Sequence, residues 1–144
     1  MTANPSPAAK LAALHAASFA QGWSEMEFAT LLANPATLCA ITDHGFALLQ
    51  VVPPEAELIT IAVSPKAREQ GNGRAVLNLA LKMAKEAGAS HVFLEVDAIN
   101  TAALALYASA GFEQNGSRRA YYRQVDGSRT DAITMAHTIK ASIE

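Results

Sequence analysis

Ile61-Ala-Val-Ser-Pro-Lys-Ala-Arg68-Glu-Gln-Gly71-Asn-Gly73-Arg74 runs an apolar strand into an Arg-x-x-Gly-x-Gly turn and then straight into an amphipathic helix. A glycine turn that opens a helix presents backbone N–H groups and the positive end of the helix dipole, a setting that suits a phosphate or pyrophosphate. Glycine lets the backbone approach such a ligand where a Cβ would intrude. Arg68 and Arg74 flank the turn and can add charge-assisted contacts. Two common phosphate motifs are excluded. No Gly-x-x-x-x-Gly-Lys-Ser/Thr segment exists, and Val76 stands where a dinucleotide fingerprint places its third glycine.

Downstream of the turn, Val76, Leu79, Ala80, Met83, Ala84 and Ala87 recur at helical spacing, which predicts a helix from about Gly73 to Ala87 that stops at Gly88. His91 to Asp97 is an expected strand, with Glu95 and Asp97 interrupting its apolar run. Asn100 can cap a short helix ending at Gly111, and two strands are expected near Phe112 to Tyr122 and Ala132 to Thr138 around a polar loop, Asp126-Gly-Ser-Arg129. Upstream, residues 1–9 read as a flexible arm with two prolines, and Lys10 to Phe19 as a helix. Ser24-Glu-Met-Glu27 has capping-box spacing and launches a helix carrying Phe28, Leu31 and Leu32 that stops before Pro35. Thr37 to Thr42 and Phe46 to Val52 are strands joined by the hairpin signal Asp43-His-Gly45; Pro53-Pro54 is a loop and Glu57 to Val63 a buried strand. This order predicts an α/β domain of the α+β type over residues 10–140, a mixed sheet flanked by helices.

At 144 residues, the chain is long enough to bury a core as one domain. Hydrophobic content of 51% and charged content of 17% suit a globular enzyme, and a net charge of −2 argues against a general nucleic-acid binder. No apolar run reaches the roughly 20 residues of a membrane span, and the first residues lack the pattern of a signal peptide, so a cytoplasmic location is expected. Cys39 is the single cysteine, which excludes an internal disulfide; within an apolar strand it reads as a small hydrophobe. The histidines at 15, 44, 91 and 137 show no ligand spacing, so no metal is expected.

Val63-x-Pro65-x-x-Arg68-x-x-Gly71-x-Gly73-Arg74 resembles motif A of the GNAT (GCN5-related N-acetyltransferase) superfamily. Asn100-Thr-Ala-Ala-Leu-Ala-Leu-Tyr107-Ala-Ser-Ala-Gly111-Phe112 resembles its motif B. Leu94-Glu95-Val96, Asn100, Ala105-Leu106-Tyr107, Gly111-Phe112, Arg118-Arg119-Ala120-Tyr121-Tyr122 and Asp131-Ala-Ile-Thr-Met135 together are similar to the bacterial ribosomal-protein-alanine N-acetyltransferases, the RimI type. Trp23-Ser24 also fits, and the resemblance spans roughly Leu14 to Thr138. There are two departures. Met1 to Ala9 shows no pattern for the strand that usually opens this fold, and Asn72 stands where a bulkier apolar residue is commoner.

The resemblance implies a GNAT fold whose splayed strand pair holds acetyl-coenzyme A. It implies cofactor contacts at Ile61, Ala62, Val63, Arg68, Glu69, Gln70, Gly71, Asn72, Gly73, Arg74 and Asn100, with a backbone N–H near Val63 polarising the thioester carbonyl. Glu95 is implied as base and Tyr107 as acid. The residues are compatible with those roles: a carboxylate set in an apolar strand can take a proton, and a phenol can return one to a thiolate. Trp23, Arg118, Arg119, Tyr121 and Tyr122 are candidate walls for an acceptor peptide. The implied acceptor is the N-terminal amine of a protein, alanine of a small-subunit ribosomal protein. Lysine side chains, small-molecule amines and a non-catalytic acyl-coenzyme A module are the alternatives. The oligomeric state stays open.

Overall fold

The computed structural model of the protein describes residues 24–64 and 71–139. The expected arm, the helix over Lys10 to Phe19, Trp23, Arg68, Glu69 and Gln70 lie outside those residues.

Ser24 Oγ accepts from the Glu27 N–H at 3.1 Å, and the Ser24 N–H donates to Glu27 Oε1 at 3.3 Å. This reciprocal cap opens α1 (Glu25–Ala33) where its spacing predicted. The strands β1 (Thr37–Ile41), β2 (Gly45–Val52) and β3 (Glu55–Val63) follow as an antiparallel meander. Next come α2 (Asn72–Glu86), β4 (His91–Asp97), α3 (Thr101–Ser109), β5 (Glu113–Arg123) and β6 (Arg129–Thr138). The last two strands join at a tight turn closed by Gln124 N–H donating to the Ser128 carbonyl at 2.8 Å. Most elements lie within two residues of their expected bounds; β3 starts earlier, directly after Pro54, because its first residues pair with β2 and β4, and β6 starts three residues earlier, at Arg129, because Arg129 and Thr130 pair with Arg123 and Tyr122 of β5.

The six strands lie in the order β1-β2-β3-β4-β6-β5, with every neighbouring pair antiparallel except β3 and β4. The sheet is therefore mixed, as expected. Alternation divides its two faces. On one face Leu49, Leu58, Val92, Leu94, Val96 and Met135 pack with Val76, Leu77, Ala80 and Ala84 of α2 and with Tyr107 of α3. On the other, Phe46, Leu48 and Ala62 receive Phe28 of α1, with Leu31, Leu32, Cys39 and Ile59 around them. Three layers result, helix–sheet–helix.

The feature that shapes the site is a break in this sheet. Leu48 pairs with Thr60 but Leu49 pairs with Leu58, so Ile59 is an extra residue that bulges β3. A bulge bends its strand and strengthens its twist. The parallel ladder to β4 consists of Glu55↔His91, Ala56↔Val92 and Glu57↔Phe93, and ends just before the bulge. Beyond it, the two strands separate.

Candidate active site

The gap between β3 and β4 opens into a cleft of about 600 Å³. Leu58, Ile59, Thr60 and Ile61 form one wall and Leu94, Glu95, Val96 and Asp97 the other. Tyr107 of α3 and Tyr122 of β5 also line it. Glu95 additionally borders a second hollow of about 420 Å³, with Gln50, Glu57, Phe93, Asn115 and Thr134. Glu95 thus borders both spaces.

Glu95 Oε1 pairs with Arg118 Nη2 at 3.1 Å, with 28% of the Glu95 side chain exposed against 58% for Arg118. The acid is partly sheltered while its partner can still move into water. The Arg118 guanidinium also lies 5.3 Å from the centre of the Tyr121 ring, and Tyr121 meets Tyr122 edge-on at 5.1 Å. Tyr107 is buried beside Phe112, ring centres 5.8 Å apart. Burial pushes its phenol well above the ordinary tyrosine range, and the neighbouring Tyr122 adds to the effect. Tyr122 is raised too, first by burial, then by Glu95, Tyr121 and Asp97, with Arg118 opposing. Both phenols therefore hold their protons at neutral pH.

Asn100 is the N-cap of α3: its Oδ1 accepts from the Ala103 N–H at 3.1 Å, and the residue lines the cleft. The cap fixes the helix that carries Tyr107 two turns later. At the start of α2, Gly71 has φ +78°, open space where a Cβ would stand, and no side chain capping the helix. That is a site a phosphate group can enter. Gly73 answers to packing as well, because a Cβ there would lie 3.3 Å from Leu106 Cδ2 and 3.8 Å from Val63 Cγ2.

The structure brings Ile61, Glu95, Asn100, Tyr107 and Tyr122 to one cleft. Ala62 instead turns into the α1 face. Arg74 reaches α3: its Nη1 donates to the Ser109 carbonyl and Oγ, both at 3.0 Å, and its Nε to Asn78 Oδ1 at 3.2 Å. Asn72 and Gly73 form the first turn of α2, and Arg119 and Tyr121 lie exposed on β5. Sequence reading missed Ile99, Ala103, Gln124 and Val125, which also line the cleft. Asp97, which interrupts the apolar run of β4, accepts from Gln124 Nε2 at 2.8 Å and so pins the β5–β6 turn to β4. Among the described residues, no group of three metal-ligating side chains occurs and no helix is long and apolar enough to cross a membrane.

The acetyltransferase (GNAT) family matches residues 9–112. The chain belongs to the GNAT acetyltransferase family. The [ribosomal protein bS18]-alanine N-acetyltransferase of Escherichia coli is 43% identical over 118 residues, covering 79% of each chain. The N-alpha-acetyltransferase RimI of Mycobacterium tuberculosis is 46% identical over 92 residues, 63% of this chain and 54% of that one. The crystal structure of the ribosomal-protein-S18-alanine N-acetyltransferase from Escherichia coli superposes with a TM-score of 0.83 at 40% identity, covering 96% of this chain and 90% of that one. The chain is therefore an acyltransferase of the RimI type, and GNAT acetyltransferases use acetyl-coenzyme A.

Proposed function

We propose that this GNAT enzyme acetylates the α-amino group of a protein N-terminus, with the N-terminal alanine of ribosomal protein S18 as acceptor. The observation that carries the reading is the convergence of Glu95 from β4 and Tyr107 from α3 on the single cleft left by the splayed strands. The names of the relatives, at 43% identity, point to the acceptor.

Acetyl-coenzyme A supplies a thioester carbonyl open to attack and a thiolate leaving group. The Gly71–Gly73 turn and the start of α2 would receive its pyrophosphate, with Arg68, Glu69 and Gln70 completing the turn. The Ile61-Ala62-Val63 edge would hold the thioester, a backbone N–H near Val63 polarising its carbonyl. Glu95 takes a proton from the acceptor ammonium, and the freed amine nitrogen forms the new bond to the carbonyl carbon. As the carbon–sulfur bond breaks, Tyr107 gives its proton to sulfur, and the second proton that the nitrogen sheds on becoming an amide passes to water, from which Tyr107 is reprotonated; burial keeps the phenol protonated for that step. Arg118 holds the Glu95 carboxylate until the ammonium replaces it. Tyr121, Tyr122, Arg119 and Trp23 would form the walls around the first acceptor residues.

An α-amine has a pKa of about 7.7–8.0 against about 10.4 for lysine, so a carboxylate base deprotonates the former more readily. A ribosomal acceptor places the reaction in the cytoplasm, within the single domain 10–140. The test compares kcat/KM on an Ala-started peptide and on the same peptide with a blocked amine and an internal lysine. The first should be far better. Equal or better turnover of the second would assign the enzyme to side-chain amines, and absence of any transfer would leave an acyl-coenzyme A binding module.

A further inference from the structure

Between Arg118↔Ala132 and Tyr122↔Thr130, β5 carries Arg119, Ala120 and Tyr121 against Asp131 alone. Two surplus residues bulge outward, and Ala120 takes φ +52°, a left-handed conformation that alanine ordinarily avoids. Its N–H finds its acceptor in a side chain: Asp131 Oδ1, at 2.8 Å. The Asp131 backbone carbonyl meanwhile accepts from the Ala98 N–H at 2.9 Å, in the turn leading from β4 to the Asn100 cap. One residue thus ties the bulge to the strand that carries Glu95.

The bulge has a geometric effect on the cleft. In a regular strand, residues 118 and 122 would stand four positions apart, about 13 Å at roughly 3.3 Å per residue. Here they oppose residues only two positions apart on β6, a spacing of about 7 Å. Arg118 and Tyr122 are thereby drawn together on one side of the strand. Arg118 reaches Glu95 at 3.1 Å, and the Tyr122 phenol feels both Glu95 and Arg118.

We propose that Asp131 is a positioning residue: its carboxylate clamps the β5 bulge and so sets Arg118 and Tyr122 against Glu95 at the acceptor end of the cleft. This rests on the acetyl-transfer reading above. Asp131 touches neither reacting group in that scheme; it acts through the two residues it aligns. Because Ala120 is held in a conformation that suits glycine, the clamp and the backbone strain are opposed, and relieving the strain should partly replace the clamp.

Steady-state kinetics of purified wild-type, Asp131→Ala, Asp131→Asn and Asp131→Ala/Ala120→Gly enzymes on an Ala-started peptide test this, with calorimetric binding of acetyl-coenzyme A alongside. D131A should raise the peptide KM about tenfold or more while the acetyl-coenzyme A Kd stays within about twofold. D131N keeps an oxygen acceptor and should remain near wild type, and the added glycine should recover part of the loss. D131A and R118A should combine sub-additively in a double-mutant cycle, as they act through one alignment. Unchanged peptide KM in D131A, or full additivity with R118A, overturns the role of Asp131 alone. A wild-type enzyme inactive on the peptide overturns the α-amine reading and the clamp's function with it. If D131A does not fold, a D131N enzyme as impaired as R118A overturns the proposal, and one near wild type with Ala120 amide protection retained upholds it.

Discussion

Tyr107 shows how a single residue's surroundings prepare it for chemistry. A buried phenol resists ionisation, so Tyr107, the acid in the proposed scheme, still carries its proton at neutral pH. Tyr107→Phe and Glu95→Gln should each lower kcat by about 10²–10⁴-fold with acetyl-coenzyme A affinity nearly intact. Single-turnover rates and calorimetry check both halves, and wild-type turnover in either variant removes its assigned role. The same burial makes a stability prediction. Unfolded tyrosine ionises near pH 10, while folded Tyr107 and Tyr122 ionise higher, so the unfolded state loses protons first as pH rises. The contribution is whole below about pH 10 and is lost above it. Thermal melts should fall more steeply above that pH in the wild type than in Tyr107→Phe, and equal slopes would contradict the shifted phenol. Cys39 behaves as the inert hydrophobe its sequence context suggested: burial pushes its thiol up to about 11, which leaves little thiolate at neutral pH.

Helix ends decide much at the scale of the element. Asn100→Ala removes the cap of α3 and should cost about 1 kcal/mol in a denaturant melt. It should also lower kcat, because Tyr107 rides on that helix. At the glycine turn, Gly73→Val would press into Leu106 and Val63, mixing packing loss with ligand loss. Gly73→Ala is the cleaner probe: its single methyl meets only the flexible end of Leu106, so the melt should move little, and a loss of acetyl-coenzyme A affinity there would report on the turn itself. These elements were legible because their causes are local. Ser24 and Glu27, Asn100 and the apolar stripe of α2 lie within a few residues of what they organise. The bulges at Ile59 and Ala120 were not, since they arise from how a strand meets its neighbour, and no residue type marks them.

The whole molecule adds what no segment contains. Sequence gave a mixed sheet, but the insertion of β6 between β4 and β5 is a long-range choice. That choice carries Gln124 and Val125 into the cleft from a turn that read as an ordinary surface loop. Glu95, Tyr107 and Tyr122 were singled out from the Leu94-Glu95-Val96, Ala105-Leu106-Tyr107 and Arg118-Arg119-Ala120-Tyr121-Tyr122 segments, and the structure brings all three to the cleft.

The three-pair ladder between β3 and β4 has a mechanical side. It works like the short spine of a book, with β1-β2-β3 as one cover and β4-β6-β5 as the other. A guest seated between the covers touches both, so its occupancy should be felt as stiffness far from the point of contact. Ligand at a hundredfold excess over its Kd adds about 2.7 kcal/mol to a fold that binds it and to no unfolded chain. Amide exchange should therefore slow in both covers when acetyl-coenzyme A is added, including strands that never meet it. Slowing confined to β3 and the start of α2 would mean the covers move independently and the spine is loose.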